Sequence, residues 1–358
     1  MSVRLASVSL SLIAVVAAVA VGACASADSV ADDSATQPDE LRSKDLPACL
    51  GQSQPISLFQ NLPFADVTVA GATGPFLVDF ATTGSAIDVL AFPTPLTAAR
   101  CPLGASCSFD GFTFFGGWGT VTLVSEELDY PGAALHQAGI LGTDFLAANV
   151  FTLDYERRQI RRSNGGACDD AALTRAGLRA LSTKGFYGLG SAERKPMSDV
   201  LATAGSGPVP NVPTVPVRVA GVTAIAQLDT GFADVRVPHS VNINAAFFDA
   251  IRAKSPDSIL RDAASDLSLT TCAGVAESVE AWRMAPGTSF ELVDESGSAA
   301  RSEPGAVLFV KRTPAAALRC GGIGTWTAPA AQVATSFYVD AGVLVFDPFA
   351  ERVWITAR

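Results

Sequence analysis

Two aspartates in this sequence follow apolar runs that resemble each other. Each follows the return strand of a predicted hairpin, Phe76-Leu77-Val78 before Asp79 and Ala226-Gln227-Leu228 before Asp229. Each aspartate stands 10 residues after the valine of the Val-Ala-Gly triplet that begins its hairpin. Two carboxyl groups held side by side cannot both ionise readily, so such a pair shares one proton. The ionised member then removes a proton from water while the protonated member polarises an amide carbonyl. The pattern therefore predicts amide hydrolysis that needs no metal and no organic cofactor.

Composition excludes several other chemistries. The 358 residues include only two histidines, His136 and His239, which are too few for the usual catalytic zinc site, and they contain no Gly-x-Ser-x-Gly motif. The net charge of -10 disfavours nucleic acid as a partner. A chain with 49% hydrophobic and 17% charged residues, 31 glycines and 21 prolines is typical of a compact, mostly β protein.

A second repeated pattern lies downstream of each aspartate. Gly142 is followed 12 residues later by Asp154, and Thr335 is followed 12 residues later by Asp347, both after short apolar runs. Repeats that occur twice in the same order indicate an internal duplication. We therefore predict two homologous β lobes.

The predicted lobes comprise residues 49–165 and 212–358, joined by a connector at residues 166–211. Within the connector, the apolar spacing over residues 169–181 predicts a helix. A second helix is predicted at residues 245–254, where a Ser-Pro pair ends the pattern.

Three motifs in the sequence resemble those of the pepsin and retropepsin aspartic proteases. They are Asp229-Thr230-Gly231, Gly139-Ile140-Leu141-Gly142 followed by Asp144-Phe145-Leu146, and Val345-Phe346-Asp347 followed by Arg352-Val353. The resemblance covers most of residues 55–358. It implies the pepsin-like acid protease fold, with two β-barrel-like lobes and a cleft between them, Asp79 and Asp229 as catalytic residues, and a peptide or protein substrate. A two-lobed chain carries both halves of the site, so we expect a monomer.

The first lobe departs from the family's Asp-Thr-Gly motif and leaves two alignments open. One keeps Asp79 as the catalytic partner, followed by Phe80 and Ala81, and Phe80 lacks the hydroxyl that braces the two loops in the family. The other places Thr82 at the aspartate position, with Thr83-Gly84-Ser85 completing the loop, and leaves Asp229 alone. We favour Asp79 because the second alignment needs a three-residue extension of the hairpin. In either case residues 82–85, with Thr230 and Gly231, are expected to support the site.

The family also has a β-hairpin flap over the cleft. The best candidate is the Gly-Gly turn between aromatic runs at Phe115, Gly116, Gly117 and Trp118, where Trp118 would cap the cleft in place of the usual tyrosine. A plain core hairpin is the alternative interpretation of the same residues.

The N-terminus resembles an export signal. Residues 1–23 are predicted to be a signal peptide, in which Arg4 is followed by an apolar run from Leu5 to Ala23 that is too weak and short for a comfortable membrane span. Val21-Gly22-Ala23-Cys24 resembles a bacterial lipobox. We expect signal cleavage and a lipid on Cys24, with residues 24–48 as a flexible tether, which would hold the protein at the bacterial outer membrane. Ordinary cleavage near Ala23 or Ala25 is the alternative.

Six further cysteines indicate disulfides in an exported chain. Fifteen pairings are possible, and the spacing favours a small loop closed by Cys101 and Cys107. The remaining candidates are Cys49 with Cys168 and Cys272 with Cys320, the latter where two-lobed members of the resembled family commonly have a disulfide.

Three functions are consistent with these patterns. The first is a membrane-anchored aspartic endopeptidase. The second is a pseudoenzyme that binds peptide or glycan in the cleft, which Phe80 and Ala81 would favour, and the third is a lipoprotein scaffold for protein contacts.

Overall fold

The computed structural model describes residues 46–92, 96, 101–128, 135–196, 208–233, 237, 239–271, 273–338 and 342–357, and only the backbone of residues 319 and 320. The predicted signal peptide, the lipidation candidate Cys24, most of the predicted tether and Cys272 lie outside these residues, as does the side chain of Cys320. Lipidation of Cys24 and the bond between Cys272 and Cys320 therefore stay predictions.

The described chain is mostly β-strand, as the composition predicts. In the first half the strands are β1 Gln52–Phe59, β2 Leu62–Val69, β3 Ala72–Val78, β4 Ala86–Ile87, β5 Ser106–Thr113, β6 Gly117–Ser125, β7 Gly139–Leu141, β8 Val150–Asp154, β9 Gln159–Ser163 and β10 Leu178–Ser182. In the second half they are β11 Thr214–Val219, β12 Val222–Leu228, β13 Ser240–Asn244, β14 Ile259–Arg261, β15 Leu267–Thr270, β16 Ala276–Met284, β17 Phe290–Val293, β18 Ala299–Glu303, β19 Val307–Lys311, β20 Ala330–Val333, β21 Val343–Asp347 and β22 Arg352–Thr356. The α-helices of the described ranges are Thr143–Leu146, Asp170–Arg175, Ala245–Lys254 and Thr335–Tyr338.

Six strands of the first half close into a barrel. Their order is β2-β3-β7-β4-β6-β5, and the pairing of Thr68 with Thr113 joins β5 back to β2. The barrel is filled by aromatic side chains, among which Phe76 packs edge-on against Phe92 and Phe112 at centroid distances of 6.2 and 6.3 Å. A closed barrel leaves no free edge along these strands, so the strand ends are the places where loops gather.

A second group of strands forms an antiparallel sheet in the order β1-β9-β8-β21-β22-β10. The pairing of β8 with β21 joins the first half of the chain to its C-terminal end. The disulfide between Cys49 and Cys168 lies beside this sheet, and that between Cys101 and Cys107 closes a small loop. Both predicted bonds are confirmed.

The second half forms its own sheet in the order β14-β16-β19-β13-β20-β12-β11-β17-β18, with β15 paired to β16. The residues of β16 alternate largely between exposed and buried positions, as expected for a strand with one face on the core. Ala245–Lys254 packs beside this sheet and buries Phe247, Phe248 and Ile251.

The two halves share one hairpin geometry. In β2–β3 Val69 pairs with Ala72, and in β11–β12 Val219 pairs with Val222, so the registers match at an offset of 150 residues. Both turns have an alanine followed by a glycine at positive φ, 49° and 85° in the first and 48° and 74° in the second. Two successive positive φ values are the requirement of a tight hairpin turn of the primed type, which glycine meets without strain.

One predicted helix is confirmed and the other is too long. Ala245–Lys254 is helical throughout because Asn244 caps it through the Phe247 N–H at 3.0 Å. The connector helix covers only Asp170–Arg175, and Gly177, with φ of 86°, ends it. Leu178 to Ser182, predicted as helix up to Leu181, instead pair with β22 because the sheet buries both leucines.

Candidate active site

Asp79 and Asp229 occupy equivalent positions in the two halves. Each follows a strand that pairs in parallel with a second strand, β3 with β7 and β12 with β20. The Asp79 N–H donates to the Leu141 carbonyl at 3.0 Å, and the Asp229 N–H donates to the Val333 carbonyl at 3.0 Å. The two aspartates are therefore related by the same 150-residue offset as the hairpins that lead to them.

Thr82 lies elsewhere in the loop. Its carbonyl accepts the Thr143 N–H at 2.9 Å, as the Phe232 carbonyl accepts the Thr335 N–H at 2.8 Å. Thr82 thus corresponds to Phe232, three residues beyond the aspartate. This geometry favours the alignment that pairs Asp79, rather than Thr82, with Asp229.

Side chains of the second half bind the loop that contains Asp79. The Thr230 hydroxyl accepts the Phe80 N–H at 2.9 Å and donates to the Val78 carbonyl at 2.8 Å, and all of these groups are buried. The Gln227 amide donates to the Ala81 carbonyl at 3.0 Å. These three hydrogen bonds cross about 150 residues of sequence, so they hold the two aspartate loops against each other.

The equivalent of Thr230 in the first loop is Phe80, which cannot return the hydroxyl contact. Its ring is fully buried and stacks on Phe346 at 3.7 Å between centroids, with Phe186 edge-on at 5.9 Å. The hydroxyl contact between the loops is therefore made by Thr230 alone, and Phe80 binds the first loop to the strand β21 by apolar packing instead.

Gly231 lies between the two carboxylates. Its N–H donates to Asp229 Oδ1 at 2.8 Å and also hydrogen-bonds Asp79. A Cβ at this position would overlap the Asp79 carboxylate. Glycine is thus required here by close approach, whereas the first loop has Ala81 at the equivalent position.

The remaining predicted support residues anchor the Asp79 loop to the helix Thr143–Leu146. The Ser85 hydroxyl donates to Asp144 Oδ1 at 2.7 Å and accepts the Gly142 N–H at 2.9 Å, while the Thr83 carbonyl accepts the Asp144 N–H at 3.2 Å. Gly84 packs directly on Gly142, where a Cβ would come within 2.8 Å of it. Asp144, which in the sequence is only part of a motif, thus accepts hydrogen bonds from both the hydroxyl and the backbone N–H of Ser85.

Three amide side chains near Asp229 have no signal in the sequence motifs. Gln332 donates its amide N–H to Asp229 Oδ2, and the Asn242 amide donates to Gln332 Oε1 at 2.9 Å. Gln227, Gln332 and Asn242 lie in register on the neighbouring strands β12, β20 and β13. Sequence reasoning missed them because a lone polar residue in a strand is usually a solvent-facing one.

Burial raises the pKa of both aspartates. The pKa of Asp79 is held well above its usual range by desolvation first and then by the charge of Asp229. Desolvation raises the pKa of Asp229 to about 6, against hydrogen bonds from Gly231, Gln332 and Phe232 that lower it. Two neighbouring carboxyl groups that resist ionisation form a pair that shares a proton.

The flap candidate lies at the other end of the barrel from Asp79. Thr113 pairs with Thr68 beside the Ala70–Gly71 turn, whereas Asp79 follows the far end of β3, seven residues or about 20 Å away. The Trp118 ring packs on Phe145 at 3.9 Å, and its N–H donates to the Phe114 carbonyl at 2.8 Å.

The aromatic residues of that turn pack on the core. Phe115 is buried at 6.1 Å from Phe151, Gly116 follows it in the turn, and Gly117 begins β6 opposite Thr113. The core-hairpin interpretation therefore fits Phe115 to Trp118, and the expectation of a flap there does not. A repeated aromatic and glycine pattern is shared by both kinds of hairpin, so only long-range packing separates them.

The disulfide loop is at the Asp79 end of the barrel instead. The Gly104 N–H donates to the Ser125 carbonyl at 2.7 Å, and the Val124 N–H donates to the Ser85 carbonyl at 3.4 Å. Leu103 at the loop tip is 71% exposed. An apolar side chain thus faces solvent close to the loop of the first aspartate.

Within the described residues no group of three or more His, Cys, Asp or Glu side chains could hold a metal ion. Among the helices of the same ranges, none has the length and hydropathy needed to span a bilayer. No protein-family model matches the sequence, and no curated protein matches it either.

Proposed function

We propose that this protein is an aspartic endopeptidase with the pepsin-like two-lobe arrangement, in which Asp79 and Asp229 activate a water molecule for attack on a peptide bond. The observation that carries the proposal is the pair of aspartate loops. They begin at equivalent strand ends, are held together by Thr230, and share the Gly231 N–H.

The chemistry follows from the shared proton. The ionised carboxylate removes a proton from water as the water oxygen bonds to the carbonyl carbon, and the protonated carboxyl gives its proton to the carbonyl oxygen. The diol then collapses with cleavage of the C–N bond, and the amine leaves with the proton taken from water. Atoms and protons balance without a covalent enzyme intermediate.

We further propose that the protein is exported and held on a membrane by a lipid on Cys24, where it acts on peptide or protein as a monomer. The lipobox-like residues Val21 to Cys24 support the anchor. The two disulfides of the described chain fit an oxidising compartment outside the cytoplasm.

The test is cleavage of a denatured protein between pH 3 and pH 7, with and without pepstatin. We expect pepstatin-sensitive cleavage that Asp79→Asn and Asp229→Asn each abolish. Asp347→Asn is the matched control, because Asp347 Oδ1 only accepts the N–H groups of Phe349 and Ala350, which an asparagine oxygen also accepts. Loss in Asp229→Asn alone would contradict the role of Asp79.

A pseudoenzyme that binds peptide or glycan is the second candidate, and Ala81 favours it. The methyl group of Ala81 stands where the other loop has Gly231, which abuts the opposite carboxylate. If that methyl group excludes the water, the folded protein binds peptide but does not cleave it, and Ala81→Gly gains cleavage.

A further inference from the structure

The surroundings of the two aspartates differ in one respect that the duplication does not explain. The offsets relate Gln227 to Leu77 and, through the parallel strand pairs, Gln332 to Ile140. The second half therefore has amides, buried at Gln227 and half-buried at Gln332, where the first half has the aliphatic side chains of Leu77 and Ile140. A buried amide is retained only where it finds hydrogen-bond partners.

The amide of Gln332 has one orientation that satisfies its contacts. Its Oε1 accepts the Asn242 N–H at 2.9 Å, so its N–H group faces Asp229 Oδ2. An ionised carboxylate only accepts hydrogen bonds, so a flipped Gln332 amide would place Oε1 against the Asp229 oxygen with no proton between them. Gln332 is thus a hydrogen-bond donor to ionised Asp229, and the Asn242 contact supports this orientation.

Asp79 has no counterpart to this side-chain donor among the described residues. Its hydrogen bonds come from the backbone N–H groups of Ala81, at 2.7 Å, and of Gly231 and Thr82. Asp229 receives backbone N–H groups from Gly231 and Phe232 and the Gln332 amide in addition. A donor bonded to a carboxylate is stronger when the carboxylate is ionised, so the extra donor favours ionisation of Asp229.

We propose that Gln332 is a positioning residue that holds Asp229 as the ionised member of the pair, so that Asp79 carries the shared proton. The inference rests on the proposed function. Asp229 is then the base that takes the proton from water, and Asp79 is the acid that gives its proton to the carbonyl oxygen. When the diol collapses, Asp229 protonates the leaving nitrogen and Asp79 recovers its proton from the diol.

The pKa directions agree with this assignment. Of the two carboxyl groups, Asp79 is the one whose pKa is raised by the charge of its partner, while Gln332 opposes the rise at Asp229. The acidic limb of a pH–rate profile for kcat/KM reports the first ionisation of the pair, and the alkaline limb reports the second.

The test is Gln332→Leu, which introduces an aliphatic side chain as in the first half of the chain. We expect the acidic limb of kcat/KM to move up by about one pH unit, since Asp229 loses a donor that stabilises its charge. The matched control is Gln227→Leu, which removes an amide of the same row that binds the Ala81 carbonyl rather than a carboxylate. The control should leave the acidic limb in place, even if it weakens the protein.

A second variant covers the case in which Gln332→Leu does not fold. Asn242→Ala leaves Gln332 in place but frees its amide to rotate, so we expect a smaller shift in the same direction. An acidic limb that stays fixed in a folded Gln332→Leu enzyme, or that moves equally in Gln227→Leu, would overturn the assignment.

A readout without catalysis separates this inference from the proposed function. In protein labelled with ¹³C at the aspartate Cγ, the signals of Asp79 and Asp229 are identified from Asp79→Asn and Asp229→Asn and followed against pH. We expect Asp229 to titrate first, and its step to move up by about one pH unit in Gln332→Leu. Absence of cleavage with this titration would reject only the protease, whereas Asp79 titrating first would reject the role of Gln332.

Discussion

The raised pKa of Asp229 has a consequence for stability that does not depend on catalysis. Above about pH 4 the unfolded chain releases this proton, whereas the folded protein keeps it until about pH 6. The folded state therefore binds more protons in this window, and the free energy of unfolding falls as the pH rises through it. The group contributes its full stability below about pH 4, and that contribution is lost by about pH 7.

The size of the effect follows from the shift. Moving the pKa from 3.8 to about 6 in a side chain that is 6% exposed corresponds to about 3 kcal/mol. With an unfolding entropy of about 2.1 cal/mol/K per residue over roughly 310 folded residues, this is a change of about 5 °C in Tm. Asp79 adds to the effect in the same direction because its pKa is also raised.

The perturbation is Asp229→Asn, and the assay is Tm by calorimetry at pH 4 and pH 7. The fall in Tm between these values should be smaller in the variant than in the original protein by about 4 °C, because at pH 4 the unfolded chain has already released part of this proton. The comparison uses the fall rather than Tm itself, because asparagine accepts only one of the two hydrogen bonds from Gly231 and Gln332.

Other carboxylates contribute a background that both proteins share. Asp257→Asn, at an exposed position, controls for the removal of one acidic side chain. An unchanged fall in Asp229→Asn would refute the argument that a buried, proton-sharing pair lies between the loops.

Three further predictions concern the loops and the disulfide. Thr230→Val should lower the free energy of unfolding by about 2–4 kcal/mol in urea titration, because it leaves one buried N–H and one buried carbonyl of the first loop unpaired. Gly231→Ala should abolish cleavage while the circular dichroism of the fold persists, since the new methyl group would displace the Asp79 carboxylate. Cys49→Ala with Cys168→Ala should cost about 2–5 kcal/mol of stability, since this disulfide joins residues 119 apart in sequence.

The features that the sequence predicts correctly are those with a local signal. The Ala-Gly hairpin turns, the strand leading to Asp79 and the helix Ala245–Lys254 each depend on residues within about ten positions. The short disulfide loop between Cys101 and Cys107 is local in the same sense. For such elements, turn residues and apolar periodicity determine the structure before any long-range contact forms.

The features that the sequence does not predict depend on distant contacts. The hairpin at Phe115 to Trp118 resembles a flap in its residues, and only the packing of Trp118 on Phe145 and of Phe115 on Phe151 shows that its aromatic side chains contact the core. Gln332 binds the carboxylate of Asp229, 103 residues away, because β12 and β20 pair in parallel, and no sequence motif predicts that pairing. The region after Gly177 changes from helix to strand because β22 pairs with it.

Two differences between the aspartate loops arise from side chains of the second half of the chain. One is the hydroxyl contact that only Thr230 makes, and the other is the unequal ionisation of Asp79 and Asp229. Thr230 satisfies the buried N–H of Phe80 and the buried carbonyl of Val78. Phe80 has no hydroxyl to return this contact to the second loop, and its ring instead stacks on Phe346 and supports the first loop by burial rather than by hydrogen bonds.

The second half also gives Asp229 a side-chain donor, the Gln332 amide, whereas among the described residues Asp79 receives backbone N–H groups only. The carboxyl group with the additional donor ionises more readily, and the other one keeps the proton. Phe80→Thr tests whether the two properties are linked. The new hydroxyl should contact the second loop as the Thr230 hydroxyl contacts the first. The acidic limb of the pH profile should not move, because the substitution adds no donor to either carboxylate. A shift of that limb would show that the hydroxyl contacts between the loops, and not Gln332, determine which aspartate holds the proton.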